Sequence, residues 1–135
     1  MVEIKIDYEG DLHCHASHLP SGSHLVTDAP VDNNGRGEAF SPTDLVATAV
    51  GTCMATVMGI VARRKDLALA GMTVTVRKFM SDELPRRITC LEVDVNMPLP
   101  ASHPERKVFE AAALSCPVYQ SIHPDIEVVM HWQWQ

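Results

Sequence analysis

"SPTDLVATAVGTCMATVMGIVARR", residues 41–64, decides how this chain folds. Its ends carry clear helix signals. Ser41 is placed to be an N-cap, Pro42 suits the first turn, and Asp44 completes an S-x-x-D box that also complements the helix dipole. Arg63, Arg64 and Lys65 suit the opposite end, where the dipole is negative. Between them residues 45–62 carry no charge, and apolar side chains cover every face. Such a helix is either a membrane span or the centre of a buried core. The stretch reaches only the minimum length of a span. Thr48, Thr52 and Thr56, with Gly51 and Gly59, leave it mildly hydrophobic, and amphipathic strands flank it on both sides. The core helix is the preferred reading, and no membrane partner is expected. One thin sheet cannot cover such a helix all round, so a second subunit is expected to supply part of the cover.

Upstream, VEIKIDY (2–8) alternates apolar and polar residues, and Glu9-Gly10-Asp11 reads as a turn into LHCHASHL. In that second strand Leu12, Cys14 and Ala16 share one face, while His13, His15 and Ser17 share the other. HLVTDA is a third short strand, and PVDNNGRGEAF (30–40) is a loop rich in turn residues. Downstream, GMTVTVRKFM and RRITCLEVDVNMPL read as two strands around a turn at 82–85. In the second of them Thr89, Leu91, Val93, Val95 and Met97 share a face, opposite Cys90, Glu92, Asp94 and Asn96. A second helix is expected from Ser102, with Pro104 in its first turn, Glu105 in a capping box, and Val108, Phe109, Ala112, Ala113 and Cys116 on one face. Pro117 ends or re-aims it. IEVVMHWQWQ closes the chain as a strand with Ile126, Val128, Met130, Trp132 and Trp134 on one face. The order is βββ–α–ββ–α–β, an α+β pattern. A single domain over 1–135 is expected, with 1–40 holding the first strands and loop and 41–135 the helix–strand core.

The net charge of −6 argues against nucleic-acid or anionic-membrane partners. Two Trp, two Tyr and three Phe are too few for a base-stacking platform. The N-terminus MVEIKIDYEG lacks a basic segment followed by an apolar run, so a cytoplasmic location is expected. Cys14, Cys53, Cys90 and Cys116 are scattered without a CxxC pair, which disfavours a zinc ribbon, a thioredoxin-type motif or a structural disulfide framework.

A cysteine in a buried helix ordinarily serves as a small hydrophobe. Two features raise Cys53 and Cys116 above that. Gly51, Thr52, Ala55 and Thr56 leave room for a substrate near the Cys53 sulfur, and Cys116 ends a helix directly before Pro117. Periodicity does not say whether the two thiols meet. His13, Cys14, His15 and His18 form a cluster, but on a strand only His13 and His15 share a face. A solvated strand face is preferred over a metal site, and neither a metal nor another cofactor is expected. His103 and His123, each before a Pro, belong to loops or caps, and Tyr119 is read as packing near Cys116.

SPTDLVATAVGTC resembles the first signature of the OsmC/Ohr family of thiol-dependent peroxidases, and ALSCPVYQSIHPDIEV resembles its second, in which a Cys-Pro pair ends the second helix. The order of elements is similar over essentially the whole chain, in detail closer to the YhfA-like branch. The resemblance implies an OsmC-like fold in an intertwined homodimer with central buried helices. It implies Cys53 as the peroxidatic and Cys116 as the resolving cysteine, organic hydroperoxides as substrate, and an external thiol or dithiol as reductant. In the well-defined peroxidases a glutamate follows the motif proline and orders an arginine beside the thiolate. Here Thr43 stands in that position with Asp44 next, and the first strand turn, DYEGDLHC, has no arginine. Arg36, positioned by Glu38, is the substitute this sequence offers, and Asp44 is the nearby carboxylate. The other reading is a non-enzymatic, redox-sensing or hydrophobic-ligand-binding member of the same family.

Overall fold

A computed structural model describes residues 1–135, which divide into two compact units, Met1–Val46 and Ala47–Gln135. The first unit is an antiparallel meander of β1 (Ile4–Gly10), β2 (His13–His18) and β3 (Ser23–Asp28). Cross-strand register puts Ile6, Ala16 and Leu25 in one row and Tyr8, Cys14 and Thr27 in the next. One face is therefore mostly apolar, and Ile4, Ile6, Tyr8 and Leu25 on it are exposed. Leu12, expected in the second strand, instead sits in the turn at φ 63°, so the strand begins one residue later.

After β3 the chain folds back through a 3-10 turn at Val31–Asn33, and Phe40 bridges to Thr27. The unit ends in the first turn of α1 (Pro42–Arg64). The expected capping box is present. Ser41 donates its N–H to Asp44 Oδ2 at 2.9 Å, and Asp44 donates its own to Ser41 Oγ at 3.1 Å.

In the second unit α1 continues and is followed by β4 (Thr73–Met80), β5 (Ile88–Met97), α2 (Arg106–Leu114), α3 (Pro117–Ser121) and β6 (Glu127–Trp134). The sheet order is β4-β5-β6, with β4 antiparallel and β6 parallel to β5. A parallel neighbour requires a crossover, and α2 and α3 provide it. Leu91, Val93, Val95 and Met97 line the buried face of β5, as their alternation predicts. Val50, Gly51, Met54, Met58 and Ala62 mark the buried face of α1, at helical spacing. At Gly51 the helix comes so close to the sheet that a Cβ there would lie 2.8 Å from Val76 Cγ2.

α1 is long and apolar enough to cross a membrane by length and composition, and only 33% of its apolar window is buried within the chain. Two expectations for α2 need correction. α2 starts at Arg106 rather than Ser102; Glu105 is its N-cap residue and makes no side-chain cap bond, because residues 101–105 form turns instead. Val108 is exposed, while Phe109, Ala112, Ala113 and Cys116 are buried.

Candidate functional site

Cys53 lies midway along α1, in the second unit, and is half-buried. Its neighbours are quiet chemically. The Thr52 hydroxyl donates to the Thr48 carbonyl at 2.8 Å and the Thr56 hydroxyl to the Thr52 carbonyl at 2.8 Å, so both are absorbed by the helix backbone.

Cys116 is set by a break in the helix. α2 ends at Leu114, and the Ser115 hydroxyl donates to the Ala112 carbonyl at 2.8 Å. Cys116 then turns extended, at φ −64° and ψ 143°, and becomes the N-cap of α3. Pro117 takes the first helical position, where its missing N–H has no partner to lose. The Tyr119 backbone N–H donates to Cys116 Sγ at 3.3 Å. The amide of Tyr119, rather than its phenol, is what reaches the sulfur. The proline expected to stop one helix thus starts another, which the sequence reading did not resolve.

The Cys53 side chain lies close enough to Cys116 to act on its ionisation, and both are free thiols. Cys116 is fully buried. Burial pushes its thiol up from the ordinary value of 9.0; the Tyr119 N–H opposes this, and the neighbouring Cys53 thiol adds to it. Cys116 is therefore held as a neutral thiol, while Cys53 is the member of the pair that solvent reaches. Two neighbouring thiols, one accessible and one capped and buried, can be oxidised and then joined.

The other cysteines do not join them. Cys90 lies on the polar face of β5, where burial, Glu127 and Glu92 raise its pKa. Cys14 belongs to the sheet of the first unit.

Arg36, Glu38 and Asp44 all lie in the first unit. Arg36 is exposed, and its Nη1 stands 3.8 Å from Glu38 Oε1. Glu38 Oε2 stands 3.1 Å from His13 Nε2. Asp44 accepts the Ser41 amide in the capping box. Of the histidine cluster, His15 stacks on His24 with ring centroids 5.0 Å apart, and His18 bonds Ser21. His13 alone faces acidic groups, one of them Asp28, which the sequence reading passed over. His103 and His123 each accept an amide N–H two residues on, from Glu105 at 3.2 Å and Asp125 at 3.1 Å, as residues of caps and loops do.

With this geometry in hand, the comparisons with known proteins are specific. A family model described as OsmC-like protein matches residues 35–131. A crystal structure from Psychrobacter arcticus 273-4, of a protein provisionally assigned to an osmotic stress induced and detoxification response, is 44% identical. It covers 98% of this chain and 96% of its own, with a TM-score of 0.92. An organic hydroperoxide resistance protein OsmC from Legionella pneumophila shares the fold at 18% identity and a TM-score of 0.74, covering 98% of this chain and 96% of its own. An organic hydroperoxide resistance protein from Elizabethkingia anophelis does so at 16% identity and a TM-score of 0.79, covering 100% and 96%. No functionally curated protein matches the chain.

Proposed function

The chain belongs to the OsmC-like protein family, and from that premise we propose that it is a homodimeric, thiol-dependent peroxidase acting on organic hydroperoxides. The observation that carries this reading is the neighbouring pair of Cys53 and Cys116, brought together from two different helices. The Cys53 thiolate attacks the distal oxygen of ROOH. The O–O bond breaks, the alkoxide takes a proton and leaves as ROH, and Cys53 becomes a sulfenic acid. The Cys116 thiolate, formed as its proton passes to the departing hydroxide, attacks the Cys53 sulfur; water leaves and a disulfide forms. Two equivalents of an external thiol, or one dithiol, reduce it by exchange.

An organic tail favours such a site over hydrogen peroxide because each apolar Å² withdrawn from water contributes about 25 cal/mol. Two features support the dimer. Most of the apolar window of α1 is uncovered within one chain, and the apolar face of the first sheet is exposed. Four free cysteines suit the reducing cytoplasm, which also holds the thiol reductant.

The test is to treat reduced protein with cumene hydroperoxide and to follow intact mass and free thiols. Rapid loss of the Cys53 and Cys116 thiols as a disulfide, abolished in Cys53→Ser, is expected. Cys53 remaining a free thiol under excess peroxide overturns the peroxidase reading and leaves a redox-silent, ligand-binding member. A stable 14.9 kDa monomer in light scattering overturns the dimer.

A further inference from the structure

We propose that His13, Asp28 and Glu38 form a binding site for a divalent cation of the zinc type, which clips the 29–40 loop onto the β2–β3 hairpin. The site lies wholly in the first unit and uses neither Cys53 nor Cys116.

Register brings the first two ligands together, since His13 pairs directly with Asp28 across β2 and β3. The returning loop brings the third. Asp28 Oδ2 accepts the backbone N–H of Glu38 at 2.9 Å and of Arg36 at 3.3 Å. The Glu38 bond foremost, then the charge of the His13 ring and the Arg36 bond, hold the carboxyl below the usual carboxylate range. Its other oxygen is the unexplained atom. Asp28 is 1% exposed, and Oδ1 is buried without any hydrogen-bond partner. A charged oxygen in that position calls for a positive partner.

That oxygen faces the His13 ring, with Nε2 at 3.6 Å, too long for a hydrogen bond. His13 Nδ1 lies 2.8 Å from the Asp11 carbonyl oxygen, which can only accept, so Nδ1 carries the proton. Nε2 faces the two carboxylates; when protonated it donates to Glu38 Oε2, and a bound cation would take the place of that proton. A ring nitrogen anchored to a backbone carbonyl, with the other presented to carboxylates, is the arrangement of a metal-binding histidine. Glu38 Oε2 stands 3.1 Å from the same Nε2, and the three ligand atoms all lie within 4.8 Å of one another. Bonds of about 2.0–2.1 Å around a tetrahedral ion separate its ligands by roughly 3.3–3.4 Å. The separations of 3.1 Å and 3.6 Å bracket that value. A proton on Nε2 would bond Glu38 but would leave Asp28 Oδ1 without a hydrogen bond.

One imidazole and two carboxylates suit a borderline to hard divalent ion, with water at the remaining position. The loop that delivers Glu38 is built closed. The Gly35 amide donates to the Pro30 carbonyl at 3.0 Å, Gly37 to Ala29 at 3.2 Å and Asp28 to Phe40 at 3.1 Å. Gly35 packs so tightly on Ala29 that a Cβ there would run into the Ala29 carbonyl.

The test is a titration of the full-length, reduced protein with zinc chloride against a chromophoric chelator, with a non-chelating reductant present. One tight site is expected. Its affinity should fall about tenfold or more in His13→Ala and in Glu38→Gln. Glu38 is half-exposed, so the second variant is expected to remain folded. Because thiols also bind zinc, Cys53→Ser serves as the control and is expected to retain the site. The Arg36 and Glu38 amides should exchange more slowly with solvent once zinc is added. No stoichiometric binding overturns the proposal, as does binding that survives both His13→Ala and Glu38→Gln, or binding lost in Cys53→Ser.

Discussion

Cys116→Ala removes a fully buried sulfur and, with it, the acceptor that caps α3. Loss of an N-cap side chain costs about 1 kcal/mol. Loss of the buried sulfur removes the equivalent of roughly one methylene, about 0.8 kcal/mol before any cavity term. Together these predict a destabilisation of about 2 kcal/mol. Cys116→Ser loses the sulfur but places a preferred N-cap oxygen under the Tyr119 N–H, so it should cost about 1 kcal/mol. The difference between the variants, about 1 kcal/mol, isolates the cap. Urea unfolding of the reduced proteins, at one protein concentration so that association does not shift the midpoint, measures it. The two chemistries then separate cleanly. Both variants should leave the Cys53 sulfenic acid without a partner, so excess hydroperoxide drives it to sulfinic acid in place of a disulfide. Equal stability of Cys116→Ala and Cys116→Ser would refute the capping argument. An intramolecular disulfide that still forms at Cys53 in either variant would refute the pairing.

The raised Cys116 pKa makes stability depend on alkaline pH. Below the ordinary thiol value of 9.0 its stabilising contribution is complete. Above it the unfolded chain ionises first, so stability falls until the folded thiol ionises too. The alkaline decline measured by urea unfolding should be shallower in Cys116→Ser, and an unchanged slope would count against the shift. On β5 the Asp94 carboxyl is held below its ordinary 3.8 by hydrogen bonds from Arg77, at 2.6 and 2.8 Å. Its contribution is therefore present above pH 3.8 and is lost as pH falls through the depressed value. Arg77→Gln should thus flatten the acid limb of the stability profile. Gly51→Ala gains about 1 kcal/mol of helix propensity but forces its Cβ against the stiff Val76 side chain, an overpacking cost of about 1–3 kcal/mol. A net loss is expected in thermal or urea unfolding, and a variant more stable than the parent contradicts the close approach of α1 to β4. Ser41→Ala removes the reciprocal bond to the Asp44 amide and should cost about 1 kcal/mol, read as a lowered urea midpoint at constant m.

The cysteine pair shows how far local reading extends. Cys53 was placed on a helix by its neighbours alone, and Cys116 at a helix end by the proline after it. Their contact is non-local. It needs α2 to stop at Leu114, an extended Cys116, and a new helix begun by Pro117. The same limit governs His13. Alternation along β2 puts His13 and His15 on one face, yet Asp28 comes from the facing strand and Glu38 from the loop beyond it. No short-range spacing joins those three residues.

What the sequence by itself determined follows from interactions within a few residues: the Ser41–Asp44 capping box, the uncharged helix behind it, the alternation that buries Leu91, Val93, Val95 and Met97, and the family resemblance carried by two motifs. Tertiary structure alone decided that β6 runs parallel to β5, that Cys116 caps a helix while lying beside Cys53, and that a buried Asp28 oxygen faces His13 without a hydrogen-bond partner. Caps and periodicity are paid out locally in backbone hydrogen bonds and one face of burial, whereas strand pairing and side-chain meetings depend on which distant segments the whole chain can bury together.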